Sequence, residues 1–205
     1  MGEKSDIRNI VFDLGGVLVD FEPERCLTAL GFSEAAKQAF RTKIFSGVWE
    51  SCDRIPYEGE EIKILFKRLL PGFEREVDQM WDEGLPDITR VMPFTETWLK
   101  ALKDRGYHIY ILSNYGKRAF EINSPKYGFL SLTDGGLISY EVQLIKPEAE
   151  IYQTLCRRCG IRPQESVFLD DRAENVAAAV RLGFSGLVFR DYESASAQLE
   201  SLLAG

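Results

Sequence analysis

Polar side chains stand where the apolar runs of this sequence end. The stretch IVFDLGGVLVD, Ile10 to Asp20, places Asp13 directly after a hydrophobic run, with Gly15 and Gly16 behind it. YHIYILSN ends in Ser113 and Asn114, VQLIKPE carries Lys146 just before a helix, and VFLDD ends in Asp170 and Asp171. Any one of these is an ordinary turn former or helix cap. As a set converging on one edge they are hard to explain as caps. Three carboxylates held close together repel one another unless a cation or a proton intervenes. Mg2+ is the natural choice, because it takes hard oxygen ligands and commonly binds one or two carboxylates plus a substrate phosphate.

The elements that must position these groups are short. NIVF (9–12), YHIYIL (107–112), SVFLD (166–170) and GLVFR (186–190) are rich in β-branched and aromatic residues and too short for helices, so they read as buried parallel strands. Helical patterns alternate with most of them. FTETWLKALKDRG runs from Phe94 to Gly106, and PEAEIYQTLCRRCG is expected to start with Pro147 in its first turn and stop at Gly160. RAENVAAAVRLG ends at Gly183, and ESASAQLESLLAG closes the sequence. This alternation predicts an α/β fold, a doubly wound, Rossmann-like parallel sheet. Between them EPERCLTALG, SEAAKQAFRTKIF, EGEEIKILFKRLL and REVDQMWDEGL read as helices placed directly after the first strand. An insertion at that point lies over the carboxyl ends of the strands, where open α/β sheets bind ligands. The expected organisation is therefore a core of residues 1–20 and 91–205 and a helical cap of residues 21–90.

Composition removes several function classes. The chain has 205 residues, is 45% hydrophobic and carries a net charge of -7, with no basic run to serve a nucleic acid or a membrane surface. No apolar run reaches membrane-spanning length and MGEKSDIRNI has no signal-peptide pattern, so the expectation is a cytoplasmic protein. His108 is the single histidine, which disfavours a His-based triad or a three-His metal site. Cys156 and Cys159 have redox spacing but sit within a helical pattern, and no second cysteine pair lies nearby. Catalysis is left to carboxylates, Lys and Ser.

FDLGGVLVD, ILSN, LIKPEAEIY and VFLDDRAENVAAA occur in the order and on the elements of the four motifs of the haloacid dehalogenase superfamily, and over nearly its whole length the sequence resembles those hydrolases. Within them it is similar to bacterial sugar-phosphate phosphatases of the glucose-1-phosphate type. The resemblance implies that Asp13 attacks phosphorus and forms an aspartyl-phosphate, a covalent route that splits hydrolysis into two steps. It implies Mg2+ held by Asp13, the Gly15 carbonyl and Asp171 with Asp170 close by, and a small phosphorylated metabolite as substrate. Ser113 and the Asn114 amide would donate hydrogen bonds to the transferring group, and Lys146 would add a point charge. Gly15 and Gly16 would let backbone N–H groups turn toward the phosphate. Asn175 would orient a metal ligand or metal-bound water.

Gly15 is the departure from that pattern. Phosphatases of the family usually carry a second Asp two residues after the nucleophile, which protonates the leaving oxygen and later activates water. General acid–base help of this kind contributes about a hundred- to ten-thousand-fold. Two alternatives follow: a metal-independent 2-haloacid dehalogenase, whose halide leaves without a proton, or a catalytically weak relative that binds phosphate ligands or proteins. The Asp170-Asp171 pair favours a metal site over dehalogenation. Substrate choice falls to IFSGVWESCDRIPYEGEEI, Ile44 to Ile62, where Trp49 would stack on a ring and Arg54 would bind a second anionic group, with Asp53 and Tyr57 beside them. Arg25 is a similar cation, and Asp20, at the entry to the cap, is a weak candidate to replace the missing acid.

Overall fold

A computed structural model describes residues 6–54 and 59–204. Strand β1 (Asn9–Phe12) opens the fold and is followed by β2 (Val19–Phe21). Helices α1 (Pro23–Ala29), α2 (Glu34–Phe40), α3 (Trp49–Cys52), α4 (Gly59–Leu69) and α5 (Glu74–Gln79) come next. Wide π-type turns at Arg41–Val48 and Met80–Gly84 extend α2 and α5. The chain returns through β3 (Thr89–Val91), α6 (Thr95–Asp104), β4 (His108–Ser113), α7 (Lys117–Asn123) and β5 (Gly135–Ile138). It closes with α8 (Ala149–Cys159), β6 (Ser166–Asp170), α9 (Ala173–Arg181), β7 (Ser185–Val188) and α10 (Tyr192–Ala204).

The main sheet has the order β5-β4-β1-β6-β7, with every neighbouring pair parallel. This is the doubly wound α/β sheet expected from the strand and helix alternation. β1 lies at its centre and is buried throughout, as a strand covered on both faces must be. Alternate side chains serve opposite faces. Ile10 and Phe12 pack with Trp98 and Leu99 of α6 and Leu199 of α10. Val11 and Phe168 pack on the other side with Tyr152 and Leu155 of α8 and Val176 of α9. Phe12 is level with Ile111 and with Leu169, so Asp13 and Asp170 come next and Ser113 one residue further along, all at one carboxyl edge of the sheet.

The helices between β2 and β3 hold an apolar cluster of their own, with Leu27, Phe40, Ile44, Phe66 and Trp81 at its centre. β2 and β3 pair antiparallel, Asp20 opposite Arg90 and Phe21 opposite Thr89, so the expected boundaries at 20/21 and 90/91 fall inside this ribbon. Neither that ribbon nor β5 was expected from the sequence. The helix expected from Pro147 begins instead at Ala149, because the backbone is still extended at Glu148, the N-cap.

Candidate active site

Asp13 follows β1, and its backbone N–H bonds the Leu169 carbonyl of the neighbouring strand at 2.9 Å, which fixes where its side chain starts. The carboxylate accepts from Leu14 N at 2.7 Å and from the Lys146 ammonium at 2.9 Å, both on Oδ1, which leaves Oδ2 uncommitted. Lys146 Nζ also meets Asp170 Oδ2 at 2.6 Å. All three groups are buried. Burial opposes the lysine's charge, yet the two carboxylates outweigh it and hold Lys146 above the usual lysine range. Burial pushes Asp13 upward, Lys146 pulls it down and Asp170 pushes it up again.

Asp170 is more fully engaged than a direct metal ligand needs to be. Its Oδ1 accepts from Arg172 N at 2.8 Å and Asn175 Nδ2 at 3.0 Å, and its Oδ2 takes Asn175 at 3.1 Å besides Lys146. This geometry makes Asp170 the anchor of Lys146, and Asn175 the anchor of Asp170. Asp171 instead lines the cavity, and burial followed by the Asp170 charge raises its carboxyl above the ordinary range. Gly16 makes room for it. With φ at +70°, a Cβ on Gly16 would stand 2.6 Å from Asp171 Oδ2. Gly15 has no such neighbour within 4 Å.

One oxygen from each of Asp13, Asp170 and Asp171 lies within 4.8 Å of the others. Three carboxylates against the single ammonium of Lys146 leave two negative charges uncompensated, and a divalent cation fits that deficit. Ser113 reinforces the fit. It is buried beside Asp13 and lowers that carboxyl, yet its Oγ completes no hydrogen bond of good geometry. A buried hydroxyl in that condition is ready for an added partner.

A cavity of about 560 Å³ opens above these groups, lined by Asp13, Gly15, Gly16, Asn114, Lys146 and Asp171. Trp49 lines it as well, while packing at 5.5 Å from Phe21 and 5.3 Å from Phe45. Two sequence expectations need correction. The Asn114 side-chain amide is not directed at a ligand. It clamps the Lys146 backbone, accepting from Lys146 N at 2.8 Å and donating to Lys146 O at 3.1 Å. Arg54 is not among the cavity residues, because its guanidinium pairs with Glu148 at the start of α8. Arg25 likewise pairs with Glu22. Tyr57 lies outside the described residues.

Arg118 of α7 also lines the cavity, stacked 5.4 Å from the Trp81 ring, and no sequence motif marks it. Among the described residues it has no carboxylate partner. Asp53, beside Arg54 in the sequence, lines the cavity too. The only signal for either was position: Arg118 follows ILSN by a few residues, and Asp53 sits within the cap's aromatic stretch.

The haloacid dehalogenase-like hydrolase family model matches residues 7–183. The chain belongs to that family. It is 26% identical over 189 residues to a D-ribitol-5-phosphate phosphatase of Bacteroides thetaiotaomicron, covering 87% of this chain and 89% of that one. It is 26% identical over 197 residues to a sesquiterpene phosphatase of Aspergillus oryzae, with 94% and 95% covered. A haloacid dehalogenase family enzyme of B. thetaiotaomicron, solved in complex with magnesium and inorganic phosphate, superposes with a TM-score of 0.70 at 22% identity over 92% of this chain and 98% of that one. At that identity the likeness is one of fold.

Proposed function

We propose that this hydrolase is a Mg2+-dependent phosphatase of a small phosphorylated metabolite, working through an aspartyl-phosphate on Asp13. The observation that carries the reading is the buried ammonium of Lys146 shared between Asp13 and Asp170 at the floor of the cavity. Lys146 holds Oδ1 of Asp13 and so aims Oδ2 at phosphorus, while its charge draws in the phosphoryl oxygens. Ser113 Oγ donates to one of them. Asp13, Asp171 and the Gly15 carbonyl would hold the metal, which when bound neutralises phosphoryl charge so that a carboxylate can approach an anion. Asp170 and Asn175 keep Lys146 in place.

In this reading residues 1–20 and 91–205 form the catalytic core and residues 21–90 the cap. The cap side of the cavity is mostly apolar, with Trp49, Ile62, Phe66 and Trp81, and Arg118 supplies the cation for an acceptor group at the far end of the substrate. The phosphatase names of its relatives agree with a phosphorylated metabolite as the ligand class. The test is phosphate release from a panel containing D-ribitol 5-phosphate, glucose 1-phosphate and p-nitrophenyl phosphate, with Mg2+ and with excess chelator. Release that needs Mg2+ and disappears in Asp13→Asn supports the reading. Halide release from 2-chloropropionate that persists in chelator would replace it with dehalogenation. Phosphate binding without any turnover would leave a binding protein.

A further inference from the structure

We propose that Asp53, delivered by the cap, is the catalytic acid of this protein and protonates the leaving oxygen that Gly15 cannot serve; the inference rests on the phosphatase reading above. The geometry is built for one carboxyl at this place. Asp53 follows α3 directly, and its backbone carbonyl accepts from Ser139 Oγ at 2.5 Å. Ser139 Oγ in turn accepts from Tyr115 N at 2.9 Å. The Asp53 side chain accepts from Gly116 N. A Cβ on Gly116 would stand 3.4 Å from the Cys52 carbonyl and 3.8 Å from Asp53 Oδ1, so the two loops meet closely here. Asp53 is thereby tied to the loop that begins at Ser113 and Asn114, and it lines the cavity together with Asp13 and Lys146.

The charges around Asp53 favour an acid that holds its proton. Burial pushes its carboxyl up to about 7, with Glu50 and Asp13 adding to the rise and Lys146 and the Gly116 N–H opposing it. Arg54, next in sequence, is occupied by Glu148, and Glu50 by Arg172 at 2.9 Å. Tyr115, pushed far above the tyrosine range chiefly by burial, stays neutral, and Lys117 lines the same cavity. Of the other cavity carboxyls outside the catalytic floor, Glu50 is paired with Arg172, and Asp20 comes from β2 with no hydrogen bond to its side chain among the described residues. Asp53 is the carboxyl that is both fixed and disposed to donate.

The chemistry balances with the groups present. Asp13 Oδ2 bonds to phosphorus as the ester P–O bond breaks. The departing oxygen keeps the electron pair and takes the Asp53 proton, leaving Asp53 a carboxylate. That carboxylate then accepts a proton from the water that attacks the aspartyl-phosphate, the Asp13–P bond breaks, and both aspartates are restored.

Asp53→Asn keeps the shape and can still accept from Gly116 N. In the Mg2+-loaded full chain, its kcat/KM on the alkyl phosphate that wild type turns over fastest, which reports transfer to Asp13 and not the later hydrolysis, should fall about a hundred- to ten-thousand-fold. On p-nitrophenyl phosphate, whose leaving group departs without a proton, the fall should stay below tenfold. The alkaline limb of the wild-type kcat/KM profile, where Asp53 loses its proton, should vanish in the variant. Equal losses on both esters would make Asp53 a positioning residue and overturn the proposal, as would full alkyl activity. Wild type supplies a check that needs no variant: across aryl and alkyl esters, log kcat/KM should fall only shallowly with leaving-group pKa. A steep fall means that no acid operates. If no ester is hydrolysed at all, the phosphatase reading itself fails, an outcome distinct from either of these.

Discussion

Gly15 and Gly16 are neighbours with opposite requirements. A methyl group on Gly16 must displace the Asp171 carboxylate, from which it would stand 2.6 Å, and it must also occupy a φ of +70°. A methyl on Gly15 meets nothing within 4 Å, and Gly15 φ is not in the left-handed region. Gly16→Ala should therefore weaken Mg2+ binding about 10- to 100-fold, the usual result of misplacing the groups around a metal, and lose about 1 kcal/mol to backbone strain. Gly15→Ala should bind Mg2+ as wild type does. Calorimetric titration of the two variants checks this, and equal affinities would remove Asp171 from the metal. The same contrast applies to two cations, Arg118 of α7 and Arg54 of the inserted helices. Arg118→Met should raise KM about tenfold for esters with a second anionic or acceptor group, since a hydrogen bond to a charged donor contributes roughly 1.5–3 kcal/mol. Arg54→Met should leave KM within about twofold, because its surface ion pair with Glu148 contributes little. A larger effect at Arg54 than at Arg118, in steady-state kinetics, would reverse the assignment of the substrate's far end.

At the scale of elements, the sequence disclosed what local patterns encode. β1, β4 and β6 announce themselves by buried β-branched and aromatic runs, and the polar groups at their carboxyl ends fall together at one sheet edge, whereas β7, SGLV, is signalled only by its Leu-Val pair. β5 was not legible, because GGLI has two glycines in four residues and little strand propensity. Its pairing depends on a tertiary fact: a Cβ on Gly136 would come within 2.6 Å of the Ile111 carbonyl, so only glycine permits the close approach. The β2–β3 ribbon joins residues far apart in the chain, and three-residue strands leave no periodic signal. The two π-type turns kept the helical apolar spacing and read simply as helix. The ion pairing of Arg54 and the clamp made by Asn114 depend on contacts across the fold, so residue types alone could not reveal them. The separate apolar cluster of the inserted helices yields a prediction at this scale. Phe40 is fully buried, 5.5 Å from Phe32 and 6.2 Å from Phe45. Phe40→Ala should cost about 3–5 kcal/mol. If residues 21–90 are a cap that opens as a unit, amide exchange should accelerate across those helices while β1, β4 and β6 stay protected. Uniform acceleration across the sheet would mean one cooperative body.

For the whole molecule, the net charge of -7 and the carboxylates gathered at one cavity make stability depend on proton and metal together. Carboxylates held below their usual range, such as Glu24 by its hydrogen bond with Arg41, stabilise the fold above the unfolded carboxylate pKa, and that part is lost as acid is added. Asp53 acts in the opposite sense. Its folded value of about 7 exceeds the ordinary 3.8, so between those values the folded chain binds more protons than the unfolded one. The Asp53 contribution to the stability of the metal-free protein should then decline as pH rises from about 4 to about 7, since the slope follows the difference in bound protons. Asp13, raised by burial beside Lys146, slopes the same way. Asp53→Asn removes only its own share. The variant's melting temperature should therefore exceed that of wild type at neutral pH by several degrees, and the difference should shrink toward zero as the pH approaches 4. Thermal unfolding in chelator across this range measures it. A difference that stays constant with pH would mean that Asp53 is ionised in the folded protein, and its half-buried place in the cavity would then need a counter-charge other than Lys146.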